Sequence, residues 1–434
     1  MLDGNGLTII RSRRVLTPAG MRAVSIHIDG ERIARVAAWD DVPAGVQIDD
    51  FGESIVMPGV IDTHVHVNEP GRTEWEGFET ATSAAAAGGV TTILDMPLNS
   101  VPATVSVAAL EAKRDAARGK SHVNVEFIGG VVPGNAADLE PLAEAGVRAF
   151  KCFLSPSGVD EFSHVSEADL ETAFPVLARI GLPLMVHAED PGFLASAPDS
   201  RQYADYLASR PVEAERSAIA MLVRLMKRWP APVHIVHLSS AQSLDAVRAA
   251  RAQGLQITVE TCPHYLTFAA GEIPAGATEY KCAPPIREAA EREALWAALD
   301  AGEIDLVASD HSPCPPLMKQ TGGNFAAAWG GIASLQLSLA AVWTGARDRG
   351  FGPERIADWM CTGPARLAGL SGRTGSLVPG READIVIWNP DERADAARLL
   401  SRHRHHLTPY SGIDLYGRVV ATYVRGRKWD HSQS

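Results

Sequence analysis

The sequence has no pair of closely spaced cysteines. Cys152, Cys262, Cys282, Cys314 and Cys361 make an odd set with no CxxC, which argues against a disulfide framework and a thiolate zinc site and fits a reducing cytoplasm. No stretch reaches 18 consecutive apolar residues, so no membrane-spanning helix is expected. The first 17 residues carry arginines but neither an apolar core nor a small-residue cleavage site, and they read as unexported. Positive charge is short as well: 40 Lys and Arg stand against 52 Asp and Glu, a net charge of −12. A nucleic acid or an anionic membrane would demand a basic face, so neither is expected as a partner. A small neutral substrate stays open.

What is there is ordinary for a soluble globular chain: 434 residues, 46% apolar and 21% charged, enough to bury a large core. Between about residues 55 and 361, eight β-branched apolar runs alternate with Ala/Leu/Glu/Arg-rich helical stretches. They are 56–67, 91–96, 123–129, 147–153, 182–188, 232–238, 256–261 and 304–309. Such alternation predicts βα units around a buried parallel sheet, and eight units predict a closed α/β (β/α)8 TIM-like barrel. The flanks differ. Short alternating strands at 7–16, 25–29 and 32–37 are matched near the other end by 384–388 and 418–425. Both termini are therefore expected to build one small β-sandwich domain, with 1–54 and 374–434 flanking a barrel at 55–373.

The strongest local signal is Asp62-Thr63-His64-Val65-His66, because residues two apart on a strand face the same way and bring two imidazoles together. Alone, that pattern fits two hydrogen-bonded structural histidines equally well. Further metal-competent side chains fall at the ends of other runs: Lys151 on the fourth, His187 on the fifth, His237 on the sixth and Asp310 on the eighth. Catalytic groups of such barrels collect at the C-terminal ends of the strands, so five strands converge on one rim. Asp310 could instead cap a helix, but Pro313 and Pro315 make a helix starting there awkward. Lys151 sits inside an apolar strand, where an unpaired cation is costly. Either a carboxylate pairs with it, or its amine has added CO2 to become a carbamate (N6-carboxylysine) whose two oxygens can bridge two metals.

At these residues the sequence resembles the cyclic amidohydrolases, the group of allantoinase, dihydroorotase, hydantoinase and dihydropyrimidinase within the metal-dependent amidohydrolases. These share a DxHxH strand, a bridging lysine, two later histidines and an aspartate, and the likeness covers nearly the whole chain. The resemblance implies that His64, His66, Lys151 and Asp310 hold a buried metal and that Lys151, His187 and His237 hold a more exposed one. It also implies a homotetramer. Zinc is the default for such ligands, though cobalt, manganese or iron are accepted too, and CO2 is needed for the lysine.

The segments 68–72, 95–99, 262–265, 281–287, 309–314 and 329–332 resemble the allantoinase branch of that group. Dihydroorotases carry an arginine where Asn68 stands, an asparagine in place of Ala283 and, in many, a histidine in place of Cys314. A neutral ring bearing a ureido arm needs no arginine clamp, so the pattern favours allantoin over dihydroorotate. Asn68, Asn99 and Cys314 are the candidate substrate contacts, with a turn role as the competing reading of both asparagines. The implied reaction is hydrolysis of allantoin to allantoate in purine catabolism. A bridging hydroxide attacks, and Asp310 shuttles the proton. A hydantoinase or dihydropyrimidinase is the nearest rival, and a non-catalytic scaffold relative the rival of another kind; the presence of all six ligand positions argues against the latter. His264 is expected to be a packing or supporting histidine, the cysteines small buried hydrophobes, and the basic run 402–406 a solvated or interdomain strap.

Overall fold

A computed structural model describes residues 7–394 and 402–430. The N-terminal segment supplies β1 (Leu7–Thr17), β2 (Gly20–Asp29), β3 (Arg32–Ala38), β4 (Ile48–Asp50) and β5 (Ile55–Pro58). The middle supplies β6 (Val60–Val65), β7 (Val90–Asp95), β8 (Asn124–Phe127), β9 (Gly129–Gly130), β10 (Phe150–Phe153), β11 (Leu184–His187), β12 (Val233–Ile235), β13 (Ile257–Thr261) and β14 (Leu306–Val307). The C-terminal part adds β15 (Ile385–Ala394), β16 (Leu415–Val424) and β17 (Arg427–Lys428).

β6 to β14 form the barrel, all parallel. β8 and β9 are one barrel position broken at Ile128, whose N–H donates to Asp95 O at 3.1 Å while that of Gly129 donates to Ala149 O at 3.0 Å. The ring closes where Val65 bridges His311 and the His66 N–H donates to His311 O at 2.9 Å. Helices Phe78–Ala87, Val107–Ala117, Leu139–Glu144, Glu167–Ile180, Val212–Arg228, Leu244–Arg251, Ala289–Asp300 and Ser338–Asp348 follow the eight positions in turn. Their apolar stripes explain their placement: in Val212–Arg228 it is Ala214, Ala218, Ile219, Leu222, Leu225 and Met226 that are buried against the barrel core. The expected (β/α)8 architecture is thus present.

The termini meet as expected, in one continuous mixed sheet of order β17-β16-β15-β5-β1-β2-β3, with β4 on β1. Along β15, Ile385 and Ile387 enter that sheet's own core while Val386 and Trp388 join the barrel core. This period of two is what allows one sheet to cover two cores. The run 56–67 is not a single strand. Its first part, β5, pairs with β1 and β15, and only β6 enters the barrel. Gly59 makes the join: its N–H donates to Asp384 O at 2.9 Å, and a Cβ there would lie 2.2 Å from Thr91 Oγ1. β14 is also shorter than the run 304–309, because Asp310 turns the chain out of the ladder at a φ of 46°.

Candidate metal centre

His64 and His66 leave the same face of the first barrel strand, and Asp310 meets them from beyond the last. Their Nε2 atoms lie 3.2 and 3.4 Å from Asp310 Oδ1. One ligand atom from each of the three falls within 4.8 Å of the others, all buried. Beside them, His187 at the end of β11 and His237 just past β12 place Nδ1 and Nε2 3.0 Å apart. The rings of His64 and His237 are 5.4 Å apart between centroids, so the two groups share one site.

Lys151 comes up from β10 between them. It is fully buried, its Nζ has no hydrogen-bond partner among the described residues, and it lies 4.8 Å from the centre of the Phe153 ring. Burial lowers its pKa to about 8, against the opposing pull of Asp310 and Glu260. A lowered pKa makes the uncharged amine, the form that adds CO2, more accessible at neutral pH. The hydrogen-bonded carboxylate that would satisfy a buried ammonium is not found there.

Carboxylates behind the histidines fix their tautomers. Glu260 on β13 lies 2.6 Å from His64 Nδ1 and 3.0 Å from His234 Nε2. Glu189 lies 2.6 Å from His187 Nε2 and accepts from Arg210 Nε at 3.0 Å. Burial alone raises both carboxyls, but His64 and His234 bring Glu260 to about 2, and Arg210 and His187 do the same for Glu189. With one nitrogen of His64 and one of His187 committed to an anion, the other nitrogen of each presents a lone pair to the centre. Asp310 is likewise held well below the usual carboxylate range: burial raises it, and the surrounding imidazoles, His64 foremost, outweigh that. Imidazole nitrogens, a carboxylate and an unsatisfied amine suit divalent cations of zinc-like character, and the residues fit such a group.

The centre lies in a cleft of about 490 Å³. Five non-glycine residues among those described have a positive φ, and four of them, Asn68, Asn99, His237 and Asp310, stand at this rim. Such strain collects where the surroundings dictate an unusual geometry. Of the candidate substrate contacts, Asn99 lines the cleft, with Nδ2 3.5 Å from His66 Nδ1. Asn68 and Cys314 do not line it. Asn68 is buried and donates to Pro313 O at 3.4 Å, pinning two loops together, and Cys314 is buried behind Ser312. Sequence reasoning missed Tyr206, Arg210 and Lys281 in the wall and Glu260 and Glu189 behind it. Glu260 had a signal: like Lys151, it is a charge inside an apolar strand. His264 is buried outside the lining and all five cysteines are buried. The run 402–406, read as a solvated or interdomain strap, has Arg404 and His406 exposed and His403 buried, and it is tied to Glu76 and Gln336.

The amidohydrolase family model matches residues 55–428. The chain belongs to the amidohydrolase family. Membership implies divalent metal binding, and the cluster of His64, His66 and Asp310 supplies a place for it. An allantoinase of Streptomyces avermitilis is 50% identical over 423 residues, spanning 97% of this chain and 94% of that protein. The allantoinase of Arabidopsis thaliana is 44% identical over 439 residues, 96% of this chain and 87% of that one. Among solved structures, the L-hydantoinase (dihydropyrimidinase) of Arthrobacter aurescens matches with a TM-score of 0.89 at 31% identity, covering 97% of this amidohydrolase and 95% of that chain. No helix among the described residues is long and apolar enough to cross a membrane.

Proposed function

We propose that this amidohydrolase is an allantoinase, opening the cyclic amide of allantoin to give allantoate. The observation that carries the reading is the convergence of His64, His66 and Asp310 with His187 and His237 around the unpaired Nζ of Lys151. Full-length similarity to proteins named allantoinase supports the substrate. His64, His66, Lys151 and Asp310 would hold one cation, and Lys151, His187 and His237 the other, with Lys151 carrying the bridging carbamate. Two divalent cations bound there supply the Lewis acidity that brings a water's pKa toward about 7 and polarises the ring carbonyl.

The protein's own groups do the rest. Asp310, kept anionic by the imidazoles around it, takes the proton of the attacking water and hands it to the departing ring nitrogen. Asn99 is placed to contact the ring or its ureido arm at the cleft wall.

Zinc is the metal that the nitrogen and oxygen donors favour first. Five buried free cysteines support a reducing, cytoplasmic setting. The family resemblance supports a homotetramer, and the two sheet systems support a division into a terminal domain (1–54 with 374–434) and a barrel (55–373). The test is a steady-state comparison of allantoin, hydantoin, dihydrouracil and dihydroorotate on protein supplied with Zn, Co, Mn or Fe and bicarbonate. Allantoin is expected to give the highest kcat/KM. Preference for hydantoin or dihydrouracil would reassign the chain to the hydantoinase type, a reading that the Arthrobacter likeness keeps in play.

A further inference from the structure

Outside the cleft lining, the run at 402–408 is sewn to two loops. His405 Nε2 lies 2.7 Å from Glu74 O, and the Arg404 N–H donates to Glu76 Oε1 at 3.1 Å. Arg404 Nε also donates to Glu76 O. On the other loop, His403 Nε2 accepts from the Gln336 N–H at 3.2 Å and Thr408 Oγ1 donates to Ala333 O at 2.6 Å. Residues 74–76 follow the strand that carries His66, and residues 333–336 follow the one that leads to Asp310. The run therefore straps together the two strand ends that deliver these ligands.

His311 is the point of transmission. Its carbonyl accepts from the His66 N–H at 2.9 Å, it bridges Val65 on one side and Ile332 on the other, and it follows Asp310 directly in the chain. Its Nδ1 accepts the N–H groups of Ser334 and Leu335 at 3.1 and 3.3 Å. The ring proton is therefore on Nε2, which faces Glu76 Oε2 at 3.3 Å. His403 lies against the same ring, 4.9 Å between centroids. Glu76 is fully buried, and its carboxylate is satisfied by His311, Thr80 and the Arg404 main chain. Asp310 keeps a strained left-handed backbone, which persists only where its neighbours over-determine it.

We propose that Glu76, gripped by the strap at 402–408, is a positioning residue that acts through His311 to hold His66 and Asp310 in ligand geometry. The proposal rests on reading the centre as a divalent-metal site. Without the Glu76 carboxylate the His311 N–H has no acceptor, the ring is free to turn, and the seam between the first and last strands loosens. A shift of about 1 Å at Asp310 is enough to cost turnover, and loss of the support behind a ligand costs roughly 10–100-fold in metal affinity.

The test compares the holoenzyme with its Glu76→Gln and Arg404→Ala variants. Four quantities are read: kcat and KM for allantoin, the rate at which a chelator strips zinc, and the melting midpoint of the metal-free protein. Both variants are expected to release zinc about tenfold faster and to lose about tenfold in kcat, with KM within about twofold. The metal-free midpoint of Arg404→Ala should stay near that of the wild type. Wild-type zinc release in both variants overturns the proposal, as does a loss confined to the metal-free midpoint. Should Glu76→Gln fail to fold, Arg404→Ala, which keeps its N–H on Glu76 Oε1 but loses the Nε bond that ties the strap to Glu76 O, decides alone. Zinc release needs no substrate, so a chain that does not open allantoin would sink the substrate reading and leave this one standing. A wild-type protein that retains no metal would sink the reading of the centre itself.

Discussion

His187 and His237 face each other with Nδ1 and Nε2 3.0 Å apart, while Glu189 holds the far nitrogen of His187 at 2.6 Å. The His187 proton is committed to Glu189, so its near nitrogen offers a lone pair to the space it shares with His237. A cation satisfies both rings at once. His237→Ala is therefore expected to lower bound metal from about two equivalents per chain to about one and to cut kcat roughly 10²–10³-fold. Elemental analysis beside steady-state rates checks this, and two retained equivalents with full turnover would count against the assignment.

In the proposed mechanism Asp310 has a second duty besides holding metal. With Asp310→Asn the amide oxygen still reaches toward His64 and His66, but the group no longer accepts a proton. Metal content should stay largely intact while kcat falls roughly 10²–10⁴-fold. Near-normal turnover in this variant would remove Asp310 from proton transfer.

Lys151 separates two effects that usually run together. Its buried Nζ has no hydrogen-bond partner among the described residues, which destabilises the metal-free fold while providing the site for the carbamate. Lys151→Met should lose metal and activity, yet melt about 1 °C higher than metal-free, bicarbonate-free wild type, as roughly 1 kcal/mol of relief implies for a chain of this length. A lower midpoint would show that the amine is satisfied in the apo protein.

Asp384 predicts a pH dependence far from the metal. Burial raises its pKa to about 6 even though it accepts from the Arg425 N–H at 2.8 Å and Asn124 Nδ2 at 2.9 Å. A carboxyl whose folded pKa exceeds its unfolded one favours the fold when protonated. That contribution is complete below about 3.8 and lost as pH rises through about 6. In Asp384→Asn, Asn124 can flip its amide to match, so the wild type should lose on the order of 2–3 kcal/mol relative to the variant across this range. Denaturant titrations at pH 4 and pH 7 measure it; an unchanged difference would refute the assignment.

Barrel, terminal sheet and the meeting of His64 with His66 could be read in the sequence because each is written in a short-range code. Apolar runs of strand length alternate with helical ones, and His64 and His66 sit two apart. Lys151 is legible because a charge in an apolar strand breaks the local rule. Glu260 breaks it in the same way, and only its partners His64 and His234, distant in the chain, show what it is for. Asn68 and Cys314 mark the opposite limit. A residue next to a ligand in sequence can turn its side chain away from the cleft, and a positive φ such as the 66° of Asn68 redirects it. Glu76 carried no local signal at all, since its role arises from a contact with Arg404, 328 residues away, in a basic run that the sequence showed only as a solvated or interdomain strap.

The join at Gly59 reaches beyond geometry. β5 is a central strand of the terminal sheet, β6 is the first stave of the barrel, and one residue separates them. The terminal sheet cannot melt without pulling on the strand that carries His64, nor can the barrel open without stripping β15 of a neighbour. Heat should consequently unfold the chain in a single cooperative transition, with metal and terminal sheet lost together rather than in sequence. Calorimetry that resolved two peaks would show the halves to be thermodynamically independent despite their shared strand.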